Sequence, residues 1–192
     1  MNSETASLDA VRGHTALYAV LWPHKEAMIK RWVDTVHGTY PFETIGFLRT
    51  RKDQFANPVG YRTEEAARAL MDVIFSDTPD QEALTHAVDE IVRVRAIQDF
   101  PPEHAVGIFF AMKEILRETL MQTGQAEHLL PALLAVESRI DAVVLMAFGS
   151  YARNRETLHR LKVQEFKRQH SQILRLAEKK AGKDGMGLPE DV

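Results

Sequence analysis

The chain has 192 residues, 45% hydrophobic and 27% charged, which is the profile of a globular protein of one domain, or one domain plus an appendage. It has no cysteine, which excludes disulfides, thiolate nucleophiles, Cys-ligated zinc and iron–sulfur clusters, and its longest apolar run, Ala142 to Phe148, falls far short of the ~18 residues of a membrane span. The net charge of −3 hides an asymmetry: residues 1–151 carry 14 Lys and Arg against 21 Asp and Glu, residues 152–183 carry 10 against 3, and the last nine residues add three negative charges.

An acidic body with a basic arm suits an acidic protein, an anionic surface or nucleic acid, and equally a solvated helix face. Met1 to Gly13 shows no basic-then-apolar leader, so a cytoplasmic location is expected.

Helical signals run through the chain. Trp22-Pro23 puts proline where a first helical turn tolerates it, Met28, Trp32 and Val36 follow at helical spacing, and Gly38 ends the helix. Tyr40-Pro41 restarts the chain, with a short helix or turn over Phe42 to Leu48. Asp53 to Tyr61, containing Asn57-Pro58 and Gly60, reads as a structured loop, after which Thr63 caps the next helix. Asp77 to Asp80 forms a turn. Leu84, Val88 and Ile91 then make a stripe that continues onto Arg95 and Gln98, two polar residues on a core-facing line.

Asp99-Phe100-Pro101-Pro102 breaks that helix and opens another, with Asp99 or a neighbour as its cap. Ala105, Phe109, Met112, Leu116 and Leu120 form one apolar face, closed by Gly124. From Pro131 to Ala181 there is no further proline. As one α-helix this segment is about 75 Å long, against a body about 40 Å wide, so it breaks near Gly149-Ser150 or projects. Leu129 to Phe148 is apolar on most sides, as a central buried helix would be. Beyond Arg153, His159, Val163, Phe166, His170 and Ile173 follow the 4-3-4-3 spacing of a coiled-coil seam. Arg155, Arg160, Lys167 and Arg168 form a basic rim beside it. Two readings stand for this arm: a projecting, dimer-forming helix, or one packed back across its own body. Two histidines on a dimer seam would place like charges there in mildly acidic solution.

These signals divide the chain into an N-terminal segment (1–20), an all-α body (21–152), a basic extension (153–182) and a frayed tail (183–192). Chemical motifs are few. Glu156-x-x-His159 has the spacing of a di-iron ligand pair, yet such sites need a second copy of the motif, which is missing. His159-x-x-Lys162 lacks the glycine that follows in phosphotransfer helices, and there is neither a nucleophile elbow nor a phosphate-binding loop. No catalytic residue, metal site or cofactor is expected. Haem ligation by His86, His104 or His128 is the alternative, and nucleic-acid binding by the arm is not expected because aromatic residues are not interleaved with the basic ones.

Arg95 is the sharper candidate. A buried charge needs a carboxylate partner, and Asp53 and Asp141 are the residues that suit. The pair would either hold the Asp53–Tyr61 loop on the bundle or form the polar corner of a ligand pocket that also draws on Asn57, Tyr61, Gln98 and His104.

Four strings taken together resemble a known family: Asp53-x-Phe55-Ala56-Asn57-Pro58-Val59-Gly60-Tyr61, Asp89-Glu90-Ile91-Val92-Arg93-Val94-Arg95-Ala96-Ile97-Gln98-Asp99-Phe100, Arg139-Ile140-Asp141, and Tyr151-x-x-x-Arg155-Glu156. Over residues 20–170 the chain is similar to the N-terminal sensor domain of RsbRD-type proteins, the RsbT co-antagonist family of bacterial stress signalling. The resemblance implies an all-helical, globin-like, non-haem and non-enzymatic input module that acts as a homodimer and signals through its last helix to a protein partner. In relatives a STAS domain follows that helix. Here the sequence ends after it, which puts direct control of an RsbT-like kinase in doubt. His104 also departs from the family pattern. The ligand is not something the resemblance supplies.

Overall fold

The computed structural model describes residues 13–50, 57–76, 78 and 80–184, and among them there is no strand. The described part of α1 covers residues 13–21, and a 3₁₀ turn, Trp22–His24, carries the proline. Then follow α2 (Lys25–Gly38), α3 (Phe42–Thr50), α4 (Pro58–Phe75), α5 (Gln81–Ile97), α6 (Pro102–Gly107), α7 (Ala111–Gln122) and α8 (Ala126–Asp184). The fold is all-α with a long last helix. The chain divides into two compact units, Met1–Ala152 and Arg153–Val192.

In the first unit the core takes Leu17 and Leu21 from α1, Trp32 and Val36 from α2, and Leu70 and Met71 from α4. Val88 and Val92 of α5, Met112 and Leu116 of α7 and Val136, Ile140 and Ala147 of α8 complete it. These positions recur every three or four residues along each helix, so each element turns one stripe inward. Trp32 donates its indole N–H to the Ile108 carbonyl at 2.9 Å, satisfying two buried polar groups while tying α2 to the α6–α7 corner. Glu137 of α8 is buried and receives a two-pronged hydrogen bond from Arg117 of α7, at 2.5 and 2.6 Å.

The apolar face expected over Ala105 to Leu120 is divided among α6, the turn after it that carries Phe109, and α7, yet all five of its residues are buried. Gly124, at φ 71°, stands between α7 and α8.

Several sequence expectations are corrected. Asn57 to Tyr61 is the start of α4: Pro58 is its first residue, and Asn57 Oδ1 accepts the Gly60 N–H at 2.9 Å as an N-cap. Thr63 therefore lies inside the helix, where its hydroxyl donates to the Val59 carbonyl at 2.8 Å. Gly149 and Ser150 stay helical, and the Ser150 hydroxyl donates to Asp89 Oδ1 at 2.6 Å. Pro131 sits within α8 near its start.

The first half of α8 is also less enclosed than its composition suggests. One face is buried, but Leu130, Leu134, Leu145 and Phe148 are exposed, Leu145 to 73%.

Gly60 is required sterically. A Cβ there would fall within the Asn57 amide, whose Nδ2 donates to the Leu48 carbonyl at 2.8 Å. Gly60→Ala should therefore displace the cap and strand a buried amide, costing about 2–3 kcal/mol and lowering Tm by about 5–10 °C in a thermal melt.

Candidate functional site

The stripe that carries Arg95 inward ends in a defined turn. The Phe100 N–H bonds to the Arg95 carbonyl at 3.1 Å and the Asp99 N–H to the Ala96 carbonyl at 3.3 Å, a Schellman closure of α5. Asp99 occupies its left-handed position at φ 64°, which non-glycine residues adopt at a cost. It closes α5, and of the two caps expected for α6 the neighbour Pro101 holds the N-cap position. The closure folds Phe100 back over the arginine.

Arg95 is only 1% exposed. Its guanidinium carbon lies 4.3 Å from the Phe100 ring centroid and 5.5 Å from that of Tyr40, and the two rings meet edge-on with centroids 5.1 Å apart. Nη2 donates to the Thr39 hydroxyl at 2.6 Å and to the His104 carbonyl at 3.0 Å, whereas Nε and Nη1 have no hydrogen-bond partner. Tyr151 of α8 supports the corner by donating to the Phe100 carbonyl at 2.6 Å.

Among the described residues no carboxylate pairs with Arg95. The expected partner Asp141 pairs instead with Lys113 at 2.6 Å, and Asp53 lies outside the described residues. An ion pair with Asp141 is thus corrected to an aromatic and carbonyl cradle. Cation–π contacts with two rings contribute about 1–2 kcal/mol each when desolvated. Together with two charge-assisted hydrogen bonds, they offset the several kcal/mol of burying the ion. Burial draws the Arg95 pKa down while Tyr40 works the other way, and a guanidinium keeps its proton throughout.

The other expected pocket residues do not converge on Arg95. Asn57 caps α4, and exposed Tyr61 donates to Glu65 at 2.8 Å, a hydrogen bond that raises the Tyr61 pKa. Gln98 is exposed, and His104 contributes its backbone carbonyl while its side chain faces solvent. Thr39 and Tyr40 were not selected from sequence, and Phe100 and Tyr151 were quoted only within the family strings and not as site residues. Arg95 and Thr39 are 56 positions apart, and no spacing rule links them.

His86, His104 and His128, the alternative haem ligands, are exposed, and among the described residues no group of three or more His, Asp or Glu could hold a metal ion. No described helix is long and apolar enough to cross a membrane. In the second unit His159, Phe166, His170 and Ile173 are exposed, Phe166 to 69%, with the rings of Phe166 and His170 stacked at 6.1 Å. Val163 is also exposed. Of the basic rim, Arg160 and Lys167 are exposed, Arg155 is half-buried, and Arg168 pairs with Glu165 at 2.8 Å.

Residues 26–165 match the family model of the RsbT co-antagonist protein rsbRD N-terminal domain. The chain belongs to this family. Comparisons with curated proteins and with solved structures give no match. The rsbRD N-terminal family is one of signalling domains and not a known enzyme family, so the chain is a signalling-related module. The match takes in the whole Arg95 corner and stops short of Phe166, His170 and Ile173.

Two outcomes follow from the corner. Arg95→Met removes a buried charge that no described carboxylate balances, so in low-salt buffer Tm should stay level or rise by a few degrees in a calorimetric scan. Burial raises the Tyr40 pKa above 10, more than Arg95 lowers it. The unfolded chain then releases that proton first, so stability falls as pH climbs through 10. Tyr40→Phe should flatten the fall in urea titrations at pH 9 to 11.

Proposed function

We propose that the chain is a non-enzymatic sensor or adaptor of bacterial signal transduction. Its helical body takes up a stimulus or small ligand, and its last helix delivers the response to a second copy and to a separate signalling protein. The proposal includes a globin-like body, a cytoplasmic location and no resident cofactor. Family membership supports a signalling role.

The observation that carries the output half is the exposed apolar face along α8. Leu134, Leu145 and Phe148 in the first unit, and Val163, Phe166 and Ile173 in the second, are large apolar side chains left in water. Exposed groups of this kind mark surfaces that bind another protein. In the extension they are set among Arg155, Arg160, Lys167 and Arg168, which favour an acidic partner and tune its rate of approach. Coupling then requires only that the ligand bind two poses of the helix with different affinities.

Replacing Phe166 by Asp should raise the dimer dissociation constant at least about tenfold in sedimentation equilibrium, since burying a phenyl ring is worth about 2–3 kcal/mol. A variant that dimerises as tightly as the parent removes the seam from the output.

A further inference from the structure

The second unit leaves one strip of α8 in water. Val163 is 38% exposed, Ile173 61% and Phe166 69%, and the Phe166 ring stacks on His170 at 6.1 Å. With His159 before them these residues follow the spacing of a two-stranded coiled-coil seam, and the chain is helical through all five. We propose that the strip docks an acidic amphipathic helix of another protein, apolar along its own seam with Glu or Asp beside it, and that a second copy of this chain is the disfavoured occupant. The inference rests on the seam of the reading above and names its partner. Three observations carry it.

The first is the sign of the flanks. Residues beside a seam meet those beside the opposing one and set the choice of partner. Arg155, Lys162 and Gln169 stand on one side, Arg160 and Lys167 on the other, and no acidic residue joins them. In a parallel pair of identical chains Arg155 would meet Arg160 and Lys162 would meet Lys167. Reversed, each side would meet itself, again without an opposite charge. Among the described residues Arg160, Lys162 and Lys167 form no ion pair, so their charges are open to a partner.

The second is where the glutamates stand. Glu165 lies on the side away from the seam, held by Arg168 at 2.8 Å and Gln169 at 2.9 Å. Glu156 falls on the line of the seam itself, one heptad before Val163, where a parallel second copy would set it against its own twin. Neither glutamate relieves the repulsion between identical flanks, and such repulsion is how a helix rejects the wrong partner.

The third is width. Two of the five seam positions are histidine, and the apolar three form a line one side chain wide with basic residues at both edges. A bilayer surface takes up a broad apolar face, and a phosphate backbone offers no apolar ridge to cover Phe166 and Ile173. A helix with a seam of its own covers a line of this width.

Two labelled helical peptides of about four heptads test this, identical at the seam, one with Glu at every flanking position and one with Lys, the charge a second copy presents. In fluorescence anisotropy with the full chain in about 0.05 M NaCl, the Glu peptide should bind at least about tenfold more tightly than the Lys peptide. In about 0.5 M NaCl its affinity should fall at least about threefold. Lys162→Glu combined with Lys167→Glu, both at exposed positions, should reverse the preference. Phe166→Asp should weaken the Glu peptide at least about tenfold, which attraction by charge alone would not produce. Equal affinity for the two peptides, or a preference that the double substitution leaves in place, overturns the acidic partner and leaves the dimer seam standing. Vesicles rich in phosphatidylserine, or duplex DNA, bound more tightly than the Glu peptide and equally by parent and Phe166→Asp would make the strip a general polyanion surface and overturn it too. Binding of neither peptide also overturns it, and a dimer constant unmoved by Phe166→Asp would then remove the seam itself.

Discussion

One permanent charge, buried with no carboxylate paired to it among the described residues, constrains the architecture of the body. Arg95 reaches the interior because its position continues the stripe Leu84, Val88, Ile91, and the helix has no freedom to present it elsewhere. Everything around it is then arranged to make that position tolerable. The end of α2 supplies Thr39 and Tyr40, the closure of α5 supplies Phe100, and α6 lends the His104 carbonyl. Tyr151 of α8 holds Phe100 by its carbonyl, so a contact one step removed brings the last helix to the same corner. Asp99 accepts a left-handed backbone there, the described non-glycine residue with positive φ. Four helices thus meet at a group whose energetics depend on rings and dipoles, interactions that weaken quickly if any one element shifts.

Much of the fold was legible in the sequence because helix periodicity is a local signal. The stripes on α2, α5 and α7 translate directly into buried residues, and Gly38 and Gly124 stand where helices close. The departures share a cause: short polar residues can serve a helix start or a loop equally well. Asn57-Pro58 reads as a turn until the cap to Gly60 is seen, and Thr63 reads as a cap until its hydroxyl is found bonded one turn back. Gly149-Ser150 looks like a break, but Asp89, 61 positions away, gives the serine hydroxyl a partner outside the helix.

The site was half legible. The apolar period singled out Arg95 as a polar residue on a buried line, and that placement holds. Its surroundings were not legible, because the argument that a buried cation needs a carboxylate considers only charge. Aromatic faces and carbonyl dipoles can cradle a guanidinium as well, and nothing in the local sequence marks Tyr40 as the residue that will do so. Asp141 was a reasonable candidate by chemistry and was taken by Lys113 on the neighbouring helix.

The open side of α8 bears on how the molecule behaves at high concentration. Leu145 is more exposed than any other large hydrophobic side chain of the described residues, and Leu134 and Phe148 lie on the same helix before the Ala152 boundary. A chain shortened at that boundary would keep its described buried core and this apolar face, while its net charge would move from −3 to −7 with the loss of the basic segment. Its net charge would be large and negative, so its colloidal stability would come to depend on low ionic strength, and added salt would bring it toward precipitation. The extension therefore shapes solubility as well as any message it carries.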